Sequence, residues 1–350
     1  MKVGLAGYSG SGVTTILSLL SEDLSLPEKQ TGPEIRYLKL QDKRLNSLVD
    51  VCRPKKHTTV QLEIIQLGDL RSEEGGGIRS QIVSRAAGLD TMALVLRGFW
   101  GPMAPQCRPA DEILEELSLL SDEFCLTDLL PLENRMERLA KEGKLSSREV
   151  VLLDKIKAQL EEGDPIRNME LTAEDRKDIS GFQFLTMFPL MVIANVGEEG
   201  AGELTYPELE RKCSDSGLTY MEICGLSEME LLEIPIEERE PFLRDLGLDM
   251  QSKERFISSV FSMLDLVTFY TVSDKEVRGW VVPEGTTAVK AAGKIHTDME
   301  RGFIRAEVLS WKELCTIGGL AEARKSGDLK VEGKDYVIRD GDVIQIRFNI

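Results

Sequence analysis

The sequence predicts an α/β chain: a mostly parallel sheet covered by helices, interrupted by a helical insertion and followed by a small α+β module. Three observations carry this. Through residues 1–109 and 181–265, apolar runs of strand length alternate with helical stretches, and strands joined by helices run parallel. Between 110 and 180 the strand pattern stops, and Leu, Glu, Lys and Arg recur at helical spacing. From 266 to 350, short β-like runs are separated by Pro, Gly and Asp turns. At 350 residues the chain exceeds what one hydrophobic core normally supports, so these stretches read as separate domains.

The elements follow in order. Residues 1–7 read as a short apolar strand and 13–20 as the helix after a glycine-rich turn. Residues 34–40 alternate apolar and polar like a half-buried strand, and 60–67 look like its neighbour. Residues 91–97 and 190–194 are apolar enough for strands buried on both faces. In the insertion, 111–122, 129–142 and 146–162 read as helices, the last two forming a coiled-coil-like hairpin. Ser146-Ser147-Arg148-Glu149 would cap its second arm. Beyond 266, residues 279–282 and 342–347 read as strands and 287–292 as a helix.

Composition narrows the function classes. Hydrophobic residues make up 42% and charged residues 29%, an ordinary globular balance. No apolar stretch approaches the ~20 residues that span a membrane, and Met1–Gly7 is too short and glycine-broken for a secretion signal. A cytoplasmic protein without a membrane partner is expected. Six cysteines without a CxxC pair and only two histidines predict neither a zinc site nor a disulfide framework. The net charge is −17, yet residues 266–350 hold 13 basic and 13 acidic residues. The body therefore carries the whole excess, which argues against general nucleic-acid affinity there.

The most informative segment is Gly7-Tyr8-Ser9-Gly10-Ser11-Gly12-Val13-Thr14-Thr15, between the first strand and its helix. The phosphate-loop pattern is G-x-x-x-x-G-K-[ST]. Both glycines are in register, Thr14 keeps the hydroxyl position, and Val13 replaces the lysine. This predicts a P-loop NTPase-type sheet. Backbone N–H groups of such a loop cradle phosphate, assisted by the positive end of the helix, and Thr14 is the candidate Mg²⁺ ligand. Loss of the lysine's charged hydrogen bond is worth roughly 10- to 150-fold in affinity and more in catalysis. In Ile64-Ile65-Gln66-Leu67-Gly68-Asp69, Gln66 stands where D-x-x-G has its aspartate and Asp69 where it has its glycine. Arg71 and Arg79, near the loop, are candidate substitute cations. Asn195-Val196-Gly197-Glu198, after the strand at 190–194, is placed like the base-reading N-K-x-D motif, with a Glu for the Asp. The candidate nucleotide-binding residues are thus Gly7, Tyr8, Ser9, Gly10, Ser11, Gly12, Val13, Thr14, Thr15, Asn195, Val196 and Glu198.

With this loop, the N-x-x-E, the helical insertion and the C-terminus in that order, the chain resembles the Obg-like ATPases, or YchF family. The most specific runs are Lys275–Trp280, Ala291–Asp298, Glu300–Val308, Glu332–Tyr336, Asp340–Val343 and Arg347–Asn349. The resemblance implies that residues 266–350 form a TGS domain, a ubiquitin-like β-grasp. It implies that Asn195 and Glu198 face the base, with ATP preferred over GTP, and that the partner is the ribosome. The family's P-loop lysine and D-x-x-G aspartate are not kept, and its switch threonine is not recognisable near Gln30-Thr31-Gly32-Pro33. Three functions stay open: an ATP- or GTP-binding switch with weak or absent hydrolysis; a non-enzymatic scaffold binding RNA, ribosome or protein through the TGS and helical modules; and an active ATPase with a substitute cation. Lys294, Arg301 and Arg305 are a candidate basic strip, and His296 a functional or structural histidine. Oligomeric state is not readable.

Overall fold

The computed structural model describes residues 1–23, 33–71, 78, 80–101, 106–143, 147–202, 204–248 and 250–349. The chain runs β1 (Lys2–Gly7), α1 (Val13–Ser21), β2 (Ile35–Lys39), α2 (Lys43–Cys52), β3 (Lys56–Thr58), β4 (Gln61–Asp69), α3 (Ser80–Ala86) and β5 (Thr91–Gly98). It continues through α4 (Ala110–Lys141), α5 (Arg148–Glu161), α6 (Ala173–Asp178), β6 (Leu190–Val196), α7 (Pro207–Asp215), β7 (Thr219–Ile223), α8 (Gly225–Leu231), α9 (Arg239–Asp245) and α10 (Ser252–Met263). The remainder is β8 (Leu266–Val272), β9 (Glu276–Pro283), α11 (Ala288–Ile295), α12 (Thr297–Arg301), β10 (Phe303–Ser310), α13 (Trp311–Ile317), α14 (Leu320–Ser326), β11 (Lys330–Glu332) and β12 (Asp342–Phe348). Two compact units result: Met1–Leu38 with Glu63–Phe256, and Lys39–Leu62 with Ile257–Ile350.

The first unit is built on a sheet of order β2-β4-β1-β5-β6-β7. β1 pairs parallel with β4 and β5, β5 with β6, and β6 with β7. β5 and β6 are buried almost throughout, as helix-covered parallel strands must be. Register brings the C-terminal ends of four strands level: Gly7 stands opposite Asp69 and Val95, and Arg97 opposite Asn195. Ligands of open parallel sheets bind at this edge, because loops and helix N-termini converge there.

The insertion corrects one expectation. Residues 111–122 and 129–142 are not separate helices but parts of α4, a single 32-residue helix with Pro131 inside it. A mid-helix proline removes a hydrogen bond and costs about 3 kcal/mol. Here Leu120, Phe124, Leu132 and Leu139 are buried on either side of it, and that packing holds the helix together across Pro131. α4 and α5 form the hairpin, joined by Arg135 to Glu149 at 2.7 Å and Lys157 to Glu133 at 2.9 Å. Ser147 caps α5, accepting from the Val150 N–H at 3.3 Å; Ser146 lies outside the described residues.

The second unit has a sheet of order β11-β10-β12-β8-β9-β3. An antiparallel β8–β9 hairpin leads into α11, and the last strand, β12, returns between β8 and β10, parallel to the first and antiparallel to the second. This is the β-grasp arrangement. Residues 39–62 join it, although they lie between β2 and β4 in sequence. β3 pairs parallel with β9, and Thr58 Oγ1 donates to Glu276 at 2.6 Å. Asp42 caps α2 by accepting from the Arg44 N–H and also accepts from the Tyr270 hydroxyl. Leu45 and Leu48 pack with Tyr270, Val272 and Val277. Leu48 is fully buried, so Leu48→Ala is expected to cost this unit about 3 kcal/mol, read as a lower denaturant midpoint at unchanged slope.

Candidate functional site

The site grows from β1. Its last residue, Gly7, is buried, and the chain then turns through Tyr8–Gly12, closed by the Ser11 N–H donating to the Tyr8 carbonyl at 3.0 Å. Gly12 caps α1 with φ 91°, a left-handed conformation that only glycine adopts cheaply. A Cβ there would stand 2.1 Å from Asn195 Nδ2. Ser9, Gly10 and Thr14 are exposed, so the outer face of the loop and the N-terminus of α1 are turned to solvent. Val13, at the lysine position, is buried, with Cγ2 3.0 Å from where a Cβ on Gly7 would stand. It offers the loop's outer face nothing.

β6 supplies the second half. Asn195 is buried; its Nδ2 donates to the Ser11 carbonyl at 3.0 Å, and its Oδ1 accepts from the Gly225 N–H at 3.1 Å. One amide thus ties the loop to the start of α8. Val196 is buried beneath, and Glu198 is exposed at the start of a short 3-10 turn. Between them lies a cavity of about 250 Å³, lined by Gly10, Gly12, Thr15, Phe99, Glu198 and Leu226 among others. Its size and its apolar walls suit a planar heterocycle. The structure therefore brings all twelve candidate residues to one end of the sheet. The sequence reading missed Phe99, Gly225, Leu226 and Arg97. Arg97 Nη1 lies 3.9 Å from where a Cβ on Gly10 would stand, and its Nε donates to the Phe99 carbonyl at 3.1 Å. The signal available was position: Arg97 and Gly98 end a strand whose C-terminal end meets the loop, and Phe99 follows it directly.

On the other side of β1, the end of β4 faces the loop. Gln66 Nε2 donates to Thr14 Oγ1 at 3.2 Å. Asp69 Oδ1 accepts from the Ser9 N–H at 3.2 Å and from the Arg71 N–H at 3.1 Å. Mg²⁺ is normally held by one or two carboxylates together with substrate phosphate. Here an amide, that of Gln66, stands beside Thr14 in place of a carboxylate. The residues present do not fit a conventional Mg²⁺ site. Arg71 lies 4.4 Å over the Tyr8 ring, and burial together with Glu123 pushes the Tyr8 hydroxyl up to about 12. Arg79 lies outside the described residues, as do Gln30, Thr31 and Gly32.

Comparison with known proteins now bears on the site. Residues 266–349 match the YchF-GTPase C-terminal family model, described as "Protein of unknown function (DUF933)". A protein of Pasteurella multocida named ribosome-binding ATPase YchF is 32% identical over all of this chain and 99% of its own length. The chain belongs to the YchF family. The Escherichia coli O157:H7 relative of the same name is 31% identical over 100% of this chain and 99% of its own. The Bacillus subtilis relative is 28% identical over the full length of both. In fold, the Schizosaccharomyces pombe YchF GTPase superposes with a TM-score of 0.83 over 99% of this chain and 97% of its own, at 23% identity. A GTP binding protein from Pyrococcus horikoshii superposes at 0.60 over the whole of both chains, at 17% identity. Family membership therefore accounts for the parallel sheet and the β-grasp unit. The YchF resemblance does not remove the departures at Val13, Gln66 and Asp69.

In the second unit, Lys294, Arg301 and Arg305 are all exposed, on α11, α12 and β10. Arg305 reaches Glu307 at 3.5 Å, and Glu307 is also held by Arg347 through two bonds of 3.0 and 2.9 Å. His296 is the N-cap of α12: its Nδ1 accepts from the Asp298 N–H at 3.2 Å. That is a structural role. No helix among the described residues is long and apolar enough to cross a membrane.

Proposed function

We propose that this YchF-family chain binds a purine nucleotide, of the ATP or GTP class, with weak or absent hydrolysis, as a cytoplasmic switch linked to the ribosome. The Asn195 amide that clamps the Ser11 carbonyl and the Gly225 N–H beside the 250 Å³ cavity carries the reading. It fixes the loop against the start of α8, and sites held in shape by such bonds lose less on binding. The base enters the cavity between Phe99 and Leu226, with Glu198 at its rim. The inner phosphates lie along Gly10–Thr15, where Arg97 supplies a cation beside Gly10. Weak hydrolysis follows from chemistry, because the γ-phosphoryl in the transition state meets neither a loop lysine nor an aspartate-ordered metal. The ribosome link draws on the names of the relatives, and exposed Lys294 and Arg301 offer a surface for RNA phosphate.

Calorimetric titration of the full chain with adenine and guanine nucleotides, with and without Mg²⁺, tests this. Micromolar binding that prefers adenine is expected, falling about 10-fold in Glu198→Ala and about 10- to 100-fold in Arg97→Ala. No heat at millimolar nucleotide overturns it. The scaffold reading would then stand, supported by the Gln66–Thr14 bond that already occupies the metal-ligand hydroxyl.

A further inference from the structure

We propose that Asp69 makes this a nucleoside-diphosphate site, its carboxylate standing where the terminal phosphate of a triphosphate would come to rest. The inference rests on the nucleotide reading above and names the substrate class of that site. It begins with the sheet order, β4-β1-β5-β6. The cavity lies on the β5–β6 side of the loop, lined by Phe99 and Glu198. The end of β4 lies on the opposite side, with Gly7 paired to Asp69. A nucleotide with its base in the cavity must run its phosphates along the loop away from β6, toward β4. Its outermost phosphate meets the β4 end.

The outer N–H of the loop there is already taken. Ser9 N–H donates to Asp69 Oδ1 at 3.2 Å, and the same oxygen accepts from the Arg71 N–H at 3.1 Å. The second bond is an Asx turn, which sets the direction of the carboxylate from its own backbone. An anion on a loop N–H ahead of a helix N-terminus occupies the place and makes the bond of a phosphate oxygen. A third phosphate would have to displace it or lie against it, like charge against like charge.

The groups that normally offset terminal-phosphate charge are replaced at the same time. Val13 is buried where the lysine would reach outward, and Gln66 spends its amide on Thr14. Of the two described arginines beside the loop, Arg71 lies over the Tyr8 ring, and Arg97 sits beside Gly10 on the cavity side, where it serves the inner phosphates. The three substitutions point one way: the loop keeps its hold on two phosphates and gives up the third.

The test is titration of the full-length protein with ADP, GDP and the β,γ-methylene analogues of ATP and GTP, with and without Mg²⁺. Wild type is compared with Asp69→Asn, Asp69→Gly and Arg97→Ala, each checked by thermal melting. Wild type is expected to bind diphosphate at least about 10-fold more tightly than the triphosphate analogue. Asp69→Asn keeps an oxygen to accept from Ser9 and loses the charge, so the ratio should shrink about 10-fold, as it should in Asp69→Gly. Arg97→Ala should weaken both ligands in proportion and leave the ratio alone. Equal or tighter triphosphate binding in wild type, or a ratio indifferent to both Asp69 variants, overturns the inference and leaves the nucleotide site standing. Absence of binding by every nucleotide at millimolar concentration overturns both.

Discussion

Asn195→Ala is expected to lower the unfolding free energy by about 2–4 kcal/mol and to remove nucleotide binding together with it. The side chain is 4% exposed and makes two bonds, one to each side of the site. Truncation leaves the Ser11 carbonyl and the Gly225 N–H in a buried setting without partners, and each orphaned group costs about 1–3 kcal/mol. Asn195→Asp is expected to be no better, since an acceptor would then face the Ser11 carbonyl where Nδ2 now donates. Gly12→Ala reaches the same joint from the other side. It combines φ 91° with a Cβ 2.1 Å from Nδ2, so a loss of about 3 kcal/mol is expected. Because the clash is with Asn195 itself, the double variant Gly12→Ala/Asn195→Ala should be less damaged than the sum, by about 1 kcal/mol or more. Urea melts of the four proteins measure this. An Asn195→Ala loss under about 0.5 kcal/mol, or strict additivity, would show that the amide does not clamp the loop.

The parts of this molecule that were legible beforehand are those whose signal is local. β1, β5 and β6 are apolar along most of their length because they are covered on both faces, and the loop announces itself by glycines at fixed spacing. β7 was not read. It is a five-residue strand at the sheet's edge in which Glu222 accepts from the N–H groups of Thr205 and Tyr206, both at 2.8 Å, so its composition reports that task. α2 and β3 were missed for a different reason. Their partners, Tyr270 and Glu276, lie more than two hundred residues away, and no window of sequence shows such a bond. In the site, the loop and the N-x-x-E were legible as motifs, whereas Phe99, Leu226 and Arg97 lack one. Asp69 was visible as a residue out of place, but its bond to Ser9 needed the register of β4 against β1.

Asp128, inside α4, carries the other large expected effect. Its carboxylate accepts from the Leu185 N–H and Thr186 N–H, both at 2.8 Å, and from Thr186 Oγ1 at 2.6 Å. These bonds fasten α4 to the turn at Leu185–Met187, from which the chain enters β6 and reaches Asn195. Asp128→Ala strands two backbone donors in the interior and is expected to cost about 3 kcal/mol. Burial pushes the Asp128 carboxyl up to about 6 from its ordinary 3.8, against the pull of the three donors. The folded state therefore holds this proton more tightly than the unfolded chain. The group's contribution to stability is greatest below pH 4, declines as pH rises from about 4 to 6, and is level above that. Asp128→Asn cannot titrate, so the difference in unfolding free energy between wild type and this variant should fall by about 2 kcal/mol between pH 4 and pH 6.5. Urea melts at four pH values across that window decide it. A flat difference would place the ionised carboxylate comfortably among its donors, and the stability of the α4 anchor would then owe nothing to the proton.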